Sequence, residues 1–200
     1  NLGKLNLPKD RAVTIWVPDE SRFGLHTQSR RCWALRGQRV VLAQEQRYQW
    51  EYVYGALEVV EGLAQFRFLP WVSLELSRGF LQQIADSDPQ AEHVVIQDQA
   101  GFHLNPELHE LPARVHVIPL PPYSPELNPV EAIGDVIKDR IGNTLWATLD
   151  ALEEAIGEEL RPIYETAERV RADHRAGTRA VEIQIAHMEF APRALQAQPV

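Results

Sequence analysis

The sequence predicts an α/β domain built on a mixed sheet, and three observations lead there. Between residues 39 and 69 lie three short runs rich in β-branched and aromatic side chains, RVVLA, WEYVYGALEVV and LAQFRFL, the pattern of an antiparallel meander. From residue 73 the apolar period then reads helix, strand, helix, strand, helix, and strands separated by helices are normally parallel neighbours joined by right-handed crossovers. Two compact aliphatic runs, AVTIWVP at 12 to 18 and EHVVIQD at 92 to 98, each lead into an aspartate, Asp19 and Asp98.

Taken in order, Val13, Ile15 and Val17 alternate with Thr14 and Trp16, which predicts a strand ending at Asp19. Strands follow at 39 to 43, 50 to 60 and 63 to 69, the last two joined across Glu61 and Gly62. Leu74, Leu76, Phe80, Leu81 and Ile84 predict a helix over 73 to 86. A strand at 92 to 98 ends at Asp98, a short helix is expected at 105 to 111 after Asn105-Pro106, and RVHVIPL at 114 to 120 returns as a strand. Pro121, Pro122, Pro125 and Pro129 fix φ and exclude helix as far as Asn128; Pro129 then suits the first helical position. Val130, Ile133, Ile137 and Ile141 form the buried stripe of that helix, leaving Glu131, Asp135 and Lys138 on another face. A later helix has Leu149, Leu152, Ile156 and Leu160 inward and Glu153, Glu154, Glu158 and Glu159 outward. Beyond residue 165 only short helices are expected, so the domain is drawn at 1–162, with 163–200 as a C-terminal helical extension or tail.

At 200 residues, 44% hydrophobic and 24% charged, the chain suits one soluble globular domain with a full core. Its single cysteine, Cys32, excludes an internal disulfide and a cysteine-based zinc site, which fits a reduced compartment. No apolar run is long enough to span a membrane, and the first residues lack the core of a signal peptide. The chain opens on Asn1 rather than Met, as a piece excised from something longer would. A net charge of −8 and a pI near 5.4 argue against binding nucleic acid through bulk charge, so any DNA contact must be local.

Asp19 and Asp98 are in phase with the aliphatics of their own strands, which places them at the carboxyl end of the sheet, where open α/β sheets bind ligands. Glu131 stands at a helix start. Its spacing from Asn128 is also that of a capping box, a purely structural role. Clustered carboxylates repel unless cations lie between them, and hard oxygen ligands suit Mg²⁺ or Mn²⁺. Two such ions can activate a water or hydroxyl and stabilise the leaving oxygen of a phosphodiester, so the chemistry implied is phosphoryl transfer. From 21 to 47 the chain holds Arg22, Arg30, Arg31, Arg36, Arg39 and Arg47 against one acid, Glu45, with Trp33 among them. That window reads either as a solvated loop face or as a phosphate-contacting patch.

PDESRFGL at 18–25, CWALRGQ at 32–38, YGAL at 54–57, VIQDQAGFH at 95–103 and LPPYSPELNPVE at 120–131 together resemble the DDE transposases of the mariner superfamily, in the branch of bacterial insertion-sequence enzymes. The resemblance runs from about residue 12 to 160. It implies an RNase H-like fold with a mixed five-stranded sheet flanked by helices and extra C-terminal helices. It makes Asp19, Asp98 and Glu131 the catalytic, metal-binding acids of a cut-and-paste DNA transposase using two Mg²⁺ or Mn²⁺ ions. Arg22, Arg30, Arg31 and Arg36 would contact DNA, and His103, Gln99 and Asn128 would be accessory residues. The implied partners are DNA, at element ends and target, and a second copy in a homodimer, in the cytoplasm. The family's N-terminal helix-turn-helix modules have no counterpart here. Two positions depart from the pattern: Gln99 stands where the family has Asn, and Gly134 where it has Trp, removing a large apolar anchor. An inactive remnant that binds DNA or a partner, or a nuclease on the same fold, are the competing readings.

Overall fold

The computed structural model describes residue 5, residues 7–121 and residues 128–175. Its elements run β1 (Val13–Gly24), β2 (Trp50–Glu58), β3 (Ala64–Leu69), α1 (Leu74–Ser87), β4 (Glu92–Gln97), β5 (Val115–Pro119), α2 (Pro129–Ile141) and α3 (Leu149–Arg175). They form one five-stranded sheet in the order β3-β2-β1-β4-β5. β1 and β2, and β2 and β3, pair antiparallel; β1 and β4, and β4 and β5, pair parallel. The mixed sheet expected from the sequence is therefore present, with β1 at its centre and making both kinds of pairing.

Each sheet face buries a separate apolar cluster. Trp16, Tyr54 and Ala56 pack with Phe80, Leu81, Ile84 and Ala85 of α1 on one side. Phe23, Leu25 and Val53 pack with Ile137 of α2 and Leu152, Ile156 and Leu160 of α3 on the other. Full burial of one such large apolar side chain contributes roughly 1.5–3 kcal/mol, so the two clusters hold the helices against the sheet. The helix starts are capped: Ser73 Oγ accepts from Leu76 N at 3.2 Å, and Thr148 Oγ1 from Ala151 N at 3.2 Å. Among the described residues no helix is long and apolar enough to cross a membrane.

Four expectations need correction. β1 does not end at Asp19 but continues to Gly24, because the polar stretch Glu20 to Gly24 keeps its pairing with β2 as far as Gly24 opposite Trp50. Residues 39–43 form no strand: they lie in an irregular connection from Leu25 to Gln49, with Val40 and Val41 exposed. That connection is fastened at its base by Leu25 N to Gln49 O and Thr27 N to Glu45 O, and by the Arg47 guanidinium on the carbonyls of Trp146 and Ala147. Residues 105–111 make a turn rather than a helix, since Asn105 accepts from Glu107 N through Oδ1 and from Leu108 N and His109 N through its carbonyl. From 165 to 175 the chain continues one helix, α3 running through Pro162 to Arg175, rather than starting short ones. The proline-rich loop 122–127 and the tail 176–200 lie outside the described residues.

Candidate active site

β1 and β4 run side by side with Trp16 level with Val95, and the same register carried three residues further brings Asp19 level with Asp98. β4 ends at Gln97 while β1 goes on with β2 alone, so Asp19 sits mid-strand just past the end of its parallel neighbour. Gly55 is its antiparallel partner, and a Cβ there would meet Val130 Cγ1 at 3.2 Å, so the start of α2 lies over the sheet beside Asp19. Asn128 fastens that start from both ends of its amide. Its Oδ1 accepts from Val130 N at 3.0 Å and its Nδ2 donates to Pro18 O at 3.0 Å. Glu131, in the first turn, is thereby held near Asp19. One turn on, a Cβ at Gly134 would fall 2.2 Å from Ser21 Oγ and 3.3 Å from Ser21 Cβ, so the helix approaches the strand closely there and a side chain would have to displace the Ser21 hydroxyl.

The three acids feel one another. The Asp19 carboxyl is pushed up to about 6, chiefly by burial; the Glu20 N–H opposes this, and the negative charges of Glu20, Glu131 and Asp98 add to it. Asp98, with its side chain 61% exposed, accepts from Ala100 N at 3.0 Å and lies 2.6 Å from His103 Nδ1. The other ring nitrogen of His103, Nε2, lies 3.0 Å from the buried Glu20 carboxylate. Facing an acceptor on each side, the ring is an imidazolium. Burial opposes that charge, but the Glu20 bond and charge and the Asp98 charge outweigh it and raise His103 to about 9. Among the described residues no three histidine, cysteine or acidic side chains are gathered closely enough to hold an ion; Asp98 is paired with His103.

Gln99 keeps an amide hydrogen bond, donating to Leu120 O at 3.0 Å and so tying the end of β4 to the end of β5. Glu20 is the residue that sequence reasoning passed over. Its signal was phase: it shares the α1 face with Trp16, opposite Tyr54, and a lone acid among core residues needs a partner. Of the four arginines singled out, Arg22 lies over the Trp50 ring at 5.0 Å, and Arg30 pairs with Asp139 at 3.4 Å while its N–H donates to Asn143 Oδ1. Arg31 and Arg36 are exposed on the connection between β1 and β2.

A central strand with both pairing senses, parallel neighbours on one side, a meander on the other and helices on both faces define an RNase H-like domain. The chain belongs to the DDE superfamily endonuclease family, whose pattern matches residues 14–153. It is 36% identical over 103 residues to a Sinorhizobium fredii (strain NBRC 101917 / NGR234) protein described as "Uncharacterized protein y4pE/y4sA", a match spanning 50% of this chain and 76% of that one. Among solved structures it is similar to the Mos1 mariner paired end complex with Mn, at a TM-score of 0.56 and 14% identity over 84% of this chain. The Mos1 strand transfer complex is similar at 0.53 and 14% over the same share. At such identity the likeness is one of fold, and the chain spans 56% of the length of those Mos1 chains.

Proposed function

We propose that this is the catalytic domain of a cut-and-paste DNA transposase, which cleaves DNA at an element end and joins the freed 3′-hydroxyl to target DNA. The observation that supports it best is the electrostatic convergence at the end of the sheet, where Asp98 and Glu131 both raise the carboxyl of Asp19. Three hard oxygen donors, of which only Asp98 has a charged partner in His103, are a set that fits a divalent cation. Asp19, Asp98 and Glu131 would hold Mg²⁺ or Mn²⁺, two ions in all, and Mn is what the Mos1 paired end complex is described with. Bound there, the metal supplies an activated water or hydroxyl and stabilises the leaving oxygen of the phosphodiester.

The chain's own residues set the frame for that reaction. The Ala100 N–H and the His103 imidazolium orient the Asp98 carboxylate, and Glu20 holds the imidazolium in turn. Asn128 pins the helix that carries Glu131 to the strand that carries Asp19. Arg22, Arg30, Arg31 and Arg36 supply the local positive charge for the DNA backbone that a chain of net charge −8 lacks elsewhere. DNA ends and target are the partners, two copies act as a homodimer in the cytoplasm, and helix-turn-helix modules of a longer protein read the ends. Loss of packing at Gly134 was one of the arguments for an inactive remnant, and the close seating of α2 on Ser21 weakens that one.

The test is nicking of supercoiled DNA. Activity in Mg²⁺ or Mn²⁺, silent in EDTA and abolished by Asp19→Asn, Asp98→Asn or Glu131→Gln, is the expected result. Full activity in EDTA or in any one variant would remove that residue, or the metal, from the mechanism.

A further inference from the structure

We propose that the sheet face opposite the one bearing Asp19, where it runs out beyond α1, carries a stacking platform for unpaired nucleobases, formed by Trp50, Tyr48, His26 and the Arg22 guanidinium. This rests on the reading of the domain as one that acts on DNA, and adds to it a contact with bases rather than phosphates.

The platform follows from the register. On the face that α1 covers, Glu20 lies opposite Tyr54, Arg22 opposite Tyr52 and Gly24 opposite Trp50. Phe80 of α1 closes over Tyr54 edge-on at 5.6 Å, and Tyr54 is fully buried. Further along, the same face opens to solvent: Trp50 is 41% exposed and Tyr48 70%. The rings do not scatter. Arg22 Cζ stands 5.0 Å from the Trp50 ring centre, Tyr48 meets Trp50 edge-on at 6.3 Å, and His26 meets Tyr48 at 5.6 Å. Gly24 makes room for them, because a Cβ there would come within 2.8 Å of Gln49 O and 3.1 Å of Trp50 Cβ. None of Trp50, Tyr48 and His26 belongs to either buried cluster, so the core does not account for them.

The chemistry selects the occupant. Aromatic faces flanked by a guanidinium stack on any base, because every base has a π-face. A base inside a duplex has both faces taken by its neighbours, which leaves unpaired bases at a strand end or beside a nick. Charge agrees with that occupant. Arg22 is three residues from Asp19 on one strand, roughly 10 Å along it at strand spacing, and on the opposite face of the sheet. His26 and Tyr48 stand at the two ends of the basic connection that carries Arg30, Arg31, Arg36 and Arg39.

The test compares equilibrium binding of three DNAs by the whole chain: a blunt duplex, the duplex with a short single-stranded overhang, and the duplex with an abasic overhang of equal length. Wild type should bind the overhang DNA more tightly than the other two. Trp50→Leu and Tyr48→Ser should each remove about tenfold of that affinity, Trp50→Phe should restore most of it, and melting temperatures should stay close to wild type. Equal binding of the normal and abasic overhangs overturns the platform, as does an equal loss on all three DNAs. A changed oligomeric state with DNA binding intact would give the rings to a second copy instead, and also overturns it. Wild type binding the blunt duplex without gain from the overhang refutes the platform alone, whereas binding to none of the three refutes the DNA-acting reading with it.

Discussion

Glu51 is a buried acid for which the candidate active site has no use. It lies on β2 opposite Phe23, 8% exposed, with Oε1 unpartnered and Asp150 and Glu153 nearby. Burial, with those two charges added, raises its carboxyl from the ordinary 4.5 to about 7. Between those values the folded chain keeps a proton that the unfolded chain gives up. The stability it contributes is therefore fully present below pH 4.5 and lost as pH rises through 7. Glu51→Gln keeps the neutral form throughout. Its melting curve should match wild type in acid and run higher above pH 7, by about 1–2 kcal/mol at pH 8; stability profiles that stay parallel across that range would refute the assignment. The contrast with the site shows what single residues disclose. Asp19, Asp98 and Glu131 stood out because acids ending aliphatic runs, or opening a helix after prolines, are chemically unusual. Glu20 did not, because its meaning depends on His103, 83 positions away.

At the scale of elements, α2 is set by its first turn. Asn128→Ala removes both the cap and the bond to Pro18 O, and should cost about 1–2 kcal/mol. Asn128→Asp separates the two roles, keeping an oxygen for Val130 N while losing the donor to Pro18. That variant should fold with a loss of about 1 kcal/mol or less yet nick DNA more slowly; wild-type nicking by it would mean that the tie to β1 does not position Glu131. Strands and helices were legible where a compact aliphatic run or a helical apolar period meets the core, as in β4 and α1. They were misread where pairing or exposure decides. Glu20 to Gly24 look like a loop in composition and are strand only because β2 lies alongside, whereas Val40 and Val41 look like strand and have no neighbour to pair with. The Asn105 turn mimicked a helix start because the same capping chemistry closes an isolated turn.

For the whole molecule, acids that repel at one end of the sheet make stability depend on what lies between them. Binding to the folded chain alone stabilises it by RT ln(1 + [L]/Kd), about 2.7 kcal/mol at a hundredfold excess over Kd. Mg²⁺ or Mn²⁺ should raise the melting temperature of wild type, while Asp19→Asn should melt at least as high in EDTA at pH 8 and gain little from either ion. Equal metal shifts in both proteins would detach Asp19 from the cation. The fit of Gly134 on Ser21 reaches further than packing. At the position where the resemblance led to an expectation of Trp, α2 is seated on Ser21, and Gly134→Trp should unseat it at a cost of about 1–3 kcal/mol, read by chemical denaturation. A side chain at either position would press on the other, so the helix bearing Glu131 and the strand bearing Asp19 behave mechanically as a single part.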